Sequence, residues 1–198
     1  MIKAVVYDLD GMVIFEPHYY SIEISEKYGV PLEAFRFGDD YKVCKKGKMS
    51  VKEFIKPLHE KWLKYSQFDL SLDEYIKGWF DFATLNADIV KIAKQLQKKG
   101  IVNIIFTNNS RERVEFLEKK FNLSETFIIV GSYDLGVLKP DPKFYKVLQK
   151  KYQLKPKEVL VFDDKEEKVQ KLKAMGYPAE VYTNRLFFKH MLEKFKVL

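Results

Sequence analysis

The chain predicts an α/β protein: a Rossmann-like, mostly parallel sheet carrying an inserted all-helical block. Three observations predict it. From residue 85 onward, short apolar runs alternate with amphipathic helical patterns, as they do where parallel strands are joined by crossover helices. One apolar run, Val5-Val6-Tyr7, stands alone at the N-terminus, and residues 16–84 after it read as helix without a strong strand signal. A hydrophobic content of 46% and an aromatic content of 15% in 198 residues is ample for such a core and argues against disorder. We read 1–15 and 85–198 as the α/β domain and 16–84 as a small helical domain inserted into it.

Each element has a local cause. Ile2–Asp8 is a buried strand that ends at Asp8-Leu9-Asp10-Gly11, a polar turn. His18–Tyr28 reads as a helix stopped by Gly29 and Pro31. Ser50-x-x-Glu53 and Ser71-x-x-Glu74 are capping boxes that open two further helices, the first of them interrupted by Pro57. Asp88–Lys99 is amphipathic and ends at Gly100, and Ile101–Thr107 is a strand that runs into Asn108-Asn109-Ser110, a turn and helix cap. A helix with Val114, Leu117 and Phe121 inward follows, then a short strand at Phe127–Val130 and a helix at Lys143–Tyr152. Val159–Phe162 is a strand ending in Asp163-Asp164, with Asp164-x-x-Glu167 expected to cap the next helix. Ala179–Tyr182 is the expected last strand, and a basic amphipathic helix closes the chain.

Composition narrows the function classes. No apolar run is long enough to span a membrane, and the chain enters a strand within a few residues, which leaves no room for a signal peptide. A single cysteine, Cys44, makes no internal disulfide and points to the reducing cytoplasm. The net charge of +7 resides in residues 139–198, where 15 basic residues face 8 acidic ones. These lysines are scattered through amphipathic helices without interleaved aromatics or a nucleic-acid motif, so nucleic acid is not the expected partner. A monomer or homodimer is expected.

Three strands end in polar residues at what should be one edge of the sheet, the edge where open α/β sheets bind ligands. They supply Asp8 and Asp10, Thr107 and Asn108, and Asp163 and Asp164. Gly136-Val137-Leu138-Lys139-Pro140-Asp141-Pro142 is a proline-bounded turn that would hold the Lys139 amine in place. Clustered carboxylates require a cation or a shared proton. Together the groups suit phosphoryl transfer: one carboxylate attacks phosphorus, a second serves as acid and base, magnesium offsets the charge, and a hydroxyl, amides and an ammonium hold the oxygens.

The four segments Asp8-Leu9-Asp10-Gly11-Met12-Val13, Phe106-Thr107-Asn108-Asn109-Ser110, Lys139-Pro140-Asp141-Pro142 and Phe162-Asp163-Asp164 resemble, in order, the motifs of the haloacid dehalogenase superfamily. The resemblance covers the α/β core, and the helical insert falls where that family carries a cap. It implies that Asp8 is the nucleophile and a Mg2+ ligand, that Asp10 is the general acid/base with its carbonyl on the metal, and that Thr107 and the Asn108 amide bind phosphoryl oxygens. It further implies that Lys139 neutralises charge between Asp8 and phosphate, and that Asp164 binds the metal directly, with Asp163 direct or through water. The dehalogenase branch lacks an aspartate at the position of Asp10, since a halide leaves without a proton, so Asp10 favours phosphate esters. The implied activity is Mg2+-dependent hydrolysis of a small phosphorylated metabolite, a sugar phosphate first among them. A phosphomutase on the same chemistry and a non-catalytic basic scaffold are the alternatives.

Other residues read more blandly. Phosphonate-cleaving relatives use a cap lysine as a Schiff base; Lys45 and Lys46 lie in the insert and read as surface lysines. Tyr41–Lys48 reads as a turn near the site entrance, with Cys44 an incidental small residue in preference to the alternative, a reactive thiol whose pKa nearby lysines would lower. His18, His59 and His190 lack ligand spacing, and Trp62, Trp79 and Phe80 read as packing within the insert. Tyr19 and Tyr20 either face the substrate or staple the insert's helices.

Overall fold

A computed structural model describes residues 1–198. Seven strands and ten α-helices follow in chain order: β1 (Ala4–Asp8), β2 (Ile14–Phe15), α1 (Tyr20–Tyr28), α2 (Asp40–Lys45), α3 (Val51–Trp62), α4 (Leu72–Asp81), β3 (Thr84–Leu85) and α5 (Ala87–Lys98). Then come β4 (Val102–Thr107), α6 (Arg111–Phe121), β5 (Ile128–Gly131), α7 (Ser132–Leu135), α8 (Pro142–Lys150), β6 (Val159–Asp163), α9 (Glu166–Ala174), β7 (Ala179–Val181) and α10 (Arg185–Lys194).

Five strands form one parallel sheet in the order β5-β4-β1-β6-β7. Side chains alternate across a strand, so each strand feeds two cores. Val5, Tyr7, Ile105, Leu160 and Phe162 pack with Ile89, Leu96, Val114, Leu117, Phe188 and Leu192 of α5, α6 and α10. Ala4, Val6, Ile104, Phe106, Val159 and Val161 pack with Phe144, Leu148, Val169 and Leu172 of α8 and α9. Parity then decides where the strand-end residues point. Asp8 continues the Ala4–Val6 face and Asp163 continues the Val161 face, so both carboxylates emerge on the side of α8 and α9.

A third apolar cluster lies wholly within residues 16–84: Ile24, Tyr28, Phe35, Phe54, Ile55, Trp62, Tyr75 and Phe80 are among its buried members. Trp62 is fully buried and donates its indole N–H to Ala34 O at 2.9 Å. Ser50 and Ser71 form the expected capping boxes, and Pro57 lies inside α3. This block contacts the sheet domain at several points. Phe116 of α6 packs against this cluster and against the core beneath α5, α6 and α10. Lys120 bonds the carbonyls of Asp81 and Ala83, Glu112 accepts from the Val51 N–H at 3.0 Å, and Ser132 Oγ donates to Lys45 O at 2.6 Å.

The structure corrects several expectations. Residues 41–48 are not one turn, because Asp40–Lys45 is helical and only the residues after it turn. The two connections to the helical block pair as an antiparallel ribbon, Ile14 with Leu85 and Phe15 with Thr84, which is too short to leave a periodic trace in the sequence. Asp164 does not cap α9: Lys165 holds that position with no side-chain bond, and the Asp164 carboxylate instead lies 2.9 Å from Lys165 Nζ. The helix expected from His18 starts at Tyr20. No helix is long and apolar enough to cross a membrane.

Candidate active site

Parallel pairing of β1 between β4 and β6 brings the three predicted strand ends to one edge. Asp8 is buried, and its Oδ1 accepts from the Leu9 N–H at 2.8 Å and lies 2.8 Å from Lys139 Nζ. Lys139 Nζ also reaches Asp163 Oδ2 at 3.1 Å. Burial opposes the charge of this ammonium, but Asp8 and Asp163 outweigh it and hold its pKa above the ordinary lysine value. The Asn108 carboxamide clamps the Lys139 backbone from both sides: Nδ2 donates to Lys139 O at 2.9 Å, and Oδ1 accepts from Lys139 N at 2.8 Å.

Carboxylate oxygens of Asp8, Asp163 and Asp164 lie within 4.8 Å of one another. Gly11 gives this group room: a Cβ there would lie 3.1 Å from Asp164 Oδ2, and its φ of +79° suits glycine. The Asp10 carboxylate stands apart from the trio. Its Oδ1 accepts from Arg113 at 2.7 Å and its Oδ2 from Asn109 Nδ2 at 2.8 Å, and its side chain is 48% exposed. Thr107 is fully buried, and its Oγ1 has no hydrogen-bond partner. A buried hydroxyl left unpaired at a strand end is a free-energy cost.

Besides Lys139, and Lys165 paired with Asp164, three cationic side chains here were not anticipated. Lys168 Nζ bridges Asp8 Oδ2 at 3.2 Å and Asp163 Oδ1 at 3.0 Å. Arg113 is buried and ties Asp10 to Glu16, its second nitrogen reaching Glu16 Oε1 at 2.9 Å. Burial opposes the Arg113 charge, yet Asp10, Tyr41 and Glu16 keep its pKa raised, whereas burial pushes the Glu16 carboxyl up despite Arg113. Lys45 is half-buried beside the site and is not a surface lysine, while Lys46 does not line it.

A cavity of about 920 Å³ lies between part of this group and the helical block; Thr107, Lys139 and Asp163 are buried behind its lining. Asp8, Asp10, Asn108, Asp164 and Lys168 form its floor, and Phe15, Tyr19, Ile22, Phe37, Tyr41 and Trp79 line it with apolar surface. Of the two tyrosines left open, Tyr19 faces this cavity, and Tyr20 packs on Tyr75 and Phe82. Trp79 both lines the cavity and packs on Phe37 and Phe80, whereas Trp62 and Phe80 are core. His18 borders the cavity 3.0 Å from Glu23, and the buried His59 meets Leu70 O at 2.8 Å.

Cys44 fits the reading as an incidental small residue and not the reactive-thiol alternative. It is buried, and desolvation, reinforced by Glu112, pushes its thiol up to about 12. Native protein at pH 8 should therefore resist iodoacetamide and take up one equivalent only in denaturant, as intact-mass spectrometry would record. Rapid labelling of the native protein would refute this assignment.

The fold is a parallel α/β sheet with carboxylates gathered at the ends of β1 and β6. The chain belongs to the haloacid dehalogenase-like hydrolases, whose family model matches residues 2–176. It is 28% identical over 183 residues to bifunctional epoxide hydrolase 2 of Sus scrofa, covering 82% of this chain and 33% of that protein. The Rattus norvegicus protein of that name is 27% identical over 143 residues, covering 66% and 26%. The chain thus corresponds to a third or less of these relatives' length. A HAD family enzyme of Bacteroides thetaiotaomicron, solved with magnesium and inorganic phosphate, shares the fold at a TM-score of 0.77 and 20% identity, covering 92% of this chain and 95% of that one. The L-2-haloacid dehalogenase of Xanthobacter autotrophicus, solved with chloropropionic acid covalently bound, superposes at a TM-score of 0.63 and 18% identity, covering 90% and 76%.

Proposed function

We propose that the protein is a Mg2+-dependent phosphatase that hydrolyses a small phosphorylated metabolite through an aspartyl-phosphate on Asp8. The observation that carries this reading is the meeting of Asp8, Asp163 and Asp164 within 4.8 Å, beside a buried Lys139 and with Asp10 two residues along the same loop. An all-oxygen donor set of three carboxylates fits a hard divalent cation. Asp8, Asp163, Asp164 and the Asp10 carbonyl would hold Mg2+, which when bound offsets the negative charge gathered at phosphorus.

The chain's own groups then divide the work. Lys139 keeps one Asp8 oxygen fixed and its charge balanced, leaving the carboxylate to attack phosphorus as the ester P–O bond breaks. Asp10 is half-exposed at the cavity floor. It gives its proton to the leaving oxygen, then takes one from the water that attacks the acyl phosphate and releases Asp8 and inorganic phosphate. Arg113 and Asn109 aim the Asp10 carboxylate. The Thr107 hydroxyl, the Asn108 amide and Lys139 receive the phosphoryl oxygens. Residues 16–84 act as the cap that roofs the cavity and excludes bulk water, over a core of 1–15 and 85–198. The acid at Asp10 favours an alkoxide leaving group over a halide, and the epoxide hydrolase activity in the relatives' name is no part of this reading.

The test is release of inorganic phosphate from p-nitrophenyl phosphate with magnesium, abolished by chelation. Asp164→Ala should raise the magnesium concentration for half-maximal activity at least about tenfold, since removal of one ligand typically weakens a site by that order or more. Halide release from a 2-haloacid without phosphate release from any ester would overturn the proposal.

A further inference from the structure

Lys45 differs from the other cations lining the cavity. Arg113 pairs with Asp10 and Glu16, Lys165 with Asp164, and Lys168 with Asp8 and Asp163. Lys45 has no carboxylate partner; its ammonium lies 4.5 Å from the centre of the Tyr41 ring. The surrounding wall is aromatic, formed by Phe37, Tyr41 and Trp79. Burial pushes the Lys45 ammonium pKa down, and of the charges acting on it Asp10 counts most. Lys45 and Asp10, the residue assigned to the leaving-group oxygen, line the same cavity.

Its backbone is anchored. Ser132 Oγ of the sheet domain holds Lys45 O at 2.6 Å. Two residues on, Gly47 takes a φ of +69° and lies so close to the core that a Cβ would stand 2.5 Å from Tyr133 O. The helix end that carries Lys45 is therefore pinned over the site. A partly desolvated ammonium without a counter-ion is costly, and a bound anion would supply one. The scissile phosphoryl group already has Lys139, Thr107 and the Asn108 amide, so the anion that completes Lys45 is a different group.

We infer that Lys45 is a specificity residue for a second anionic group, a carboxylate or a second phosphate, on the leaving-group part of the substrate. This rests on the phosphatase reading of the same cavity. The aromatic wall offers that group no competing charge, and since the scissile phosphoryl group has its own partners, the second anion belongs to the part of the substrate that departs as the alcohol.

Matched esters test it: ethyl phosphate against phosphoglycolate, propyl phosphate against 3-phosphooxypropanoate, and propane-1,3-diyl bisphosphate as the phosphate arm. In wild type at least one anionic ester should exceed its neutral partner about tenfold or more in kcat/KM, and the arm that does so names the anion. Lys45→Met should erase that preference, and Lys45→Arg should restore most of it. Equal losses on neutral and anionic esters in Lys45→Met, or no wild-type preference in any arm, would overturn the inference. Calorimetric binding of the same compounds to Asp8→Asn, with and without Lys45→Met, separates the two proposals. An anionic preference in binding that depends on Lys45, without hydrolysis of any ester by wild type, would sink the phosphatase reading and keep the anion site. Its absence in binding sinks the anion site whatever the turnover.

Discussion

Asp8→Asn should lower kcat for p-nitrophenyl phosphate by about 10,000-fold or more while leaving a folded protein, because under the proposed mechanism it removes the charge of the attacking oxygen and keeps the side chain's shape. The carboxamide oxygen can still accept from Leu9 N, as Asp8 Oδ1 does at 2.8 Å. What it cannot do is balance two ammonium groups. Asp8 and Asp163 together face Lys139 and Lys168, and the substitution leaves Asp163 to serve both. A loss of about 1–3 kcal/mol in unfolding free energy follows from disrupting such hydrogen bonds. The unbalanced positive charge has a second consequence: inorganic phosphate should raise the melting temperature of Asp8→Asn more than that of wild type. Turnover within tenfold of wild type would remove Asp8 from the nucleophile's role.

Much of the fold was legible because its punctuation is local. Ser50, Ser71 and Ser110 cap helices by bonding the third residue on, and Gly29 and Gly100 end segments with positive φ, so boundaries could be read from single residues. The site was legible for a related reason. In a parallel sheet every strand of the core points its carboxyl end the same way, so polar residues at the ends of β1, β4 and β6 had to meet. What stayed hidden depends on contacts between distant segments. Arg113 and Lys168 sit in charged stretches, Arg-Glu-Arg and Lys-Glu-Glu-Lys, that look like solvated helix surface. Each lies in the opening turn of the helix that follows a site-bearing strand, Arg113 in α6 after β4 and Lys168 in α9 after β6. That position, close above the strand end, is the signal that would have found them. Lys45 carries no such mark: it reaches the cavity only because α2 docks on Ser132 and Tyr133, far along the chain.

Lys139→Met should be the most destabilising substitution in the site, at about 3–5 kcal/mol, because it breaks a buried ion pair by removing one partner. Lys139 is 5% exposed and its ammonium meets Asp8 at 2.8 Å and Asp163 at 3.1 Å. Methionine fills much of the same volume, so the loss would report charge and not a cavity. The two carboxylates would be left with Lys168 alone, and activity should fall with stability, since Asp8, the proposed nucleophile, loses the group that fixes its Oδ1. Because the Lys139 pKa is raised on folding, its stabilisation is complete below the ordinary lysine value of 10.5 and fades only as pH climbs through the higher folded value. The gap between wild type and variant in chemical denaturation should therefore stay constant across neutral pH and narrow only above about pH 10.5. Magnesium offers a sharper discrimination. If the carboxylates that Lys139 holds are the ones that receive the cation, magnesium should raise the melting temperature of Lys139→Met more than that of wild type, replacing part of the missing charge. An equal rise in both proteins would separate the lysine from the metal site and return Asp8 and Asp163 to a purely structural ion-pair cluster.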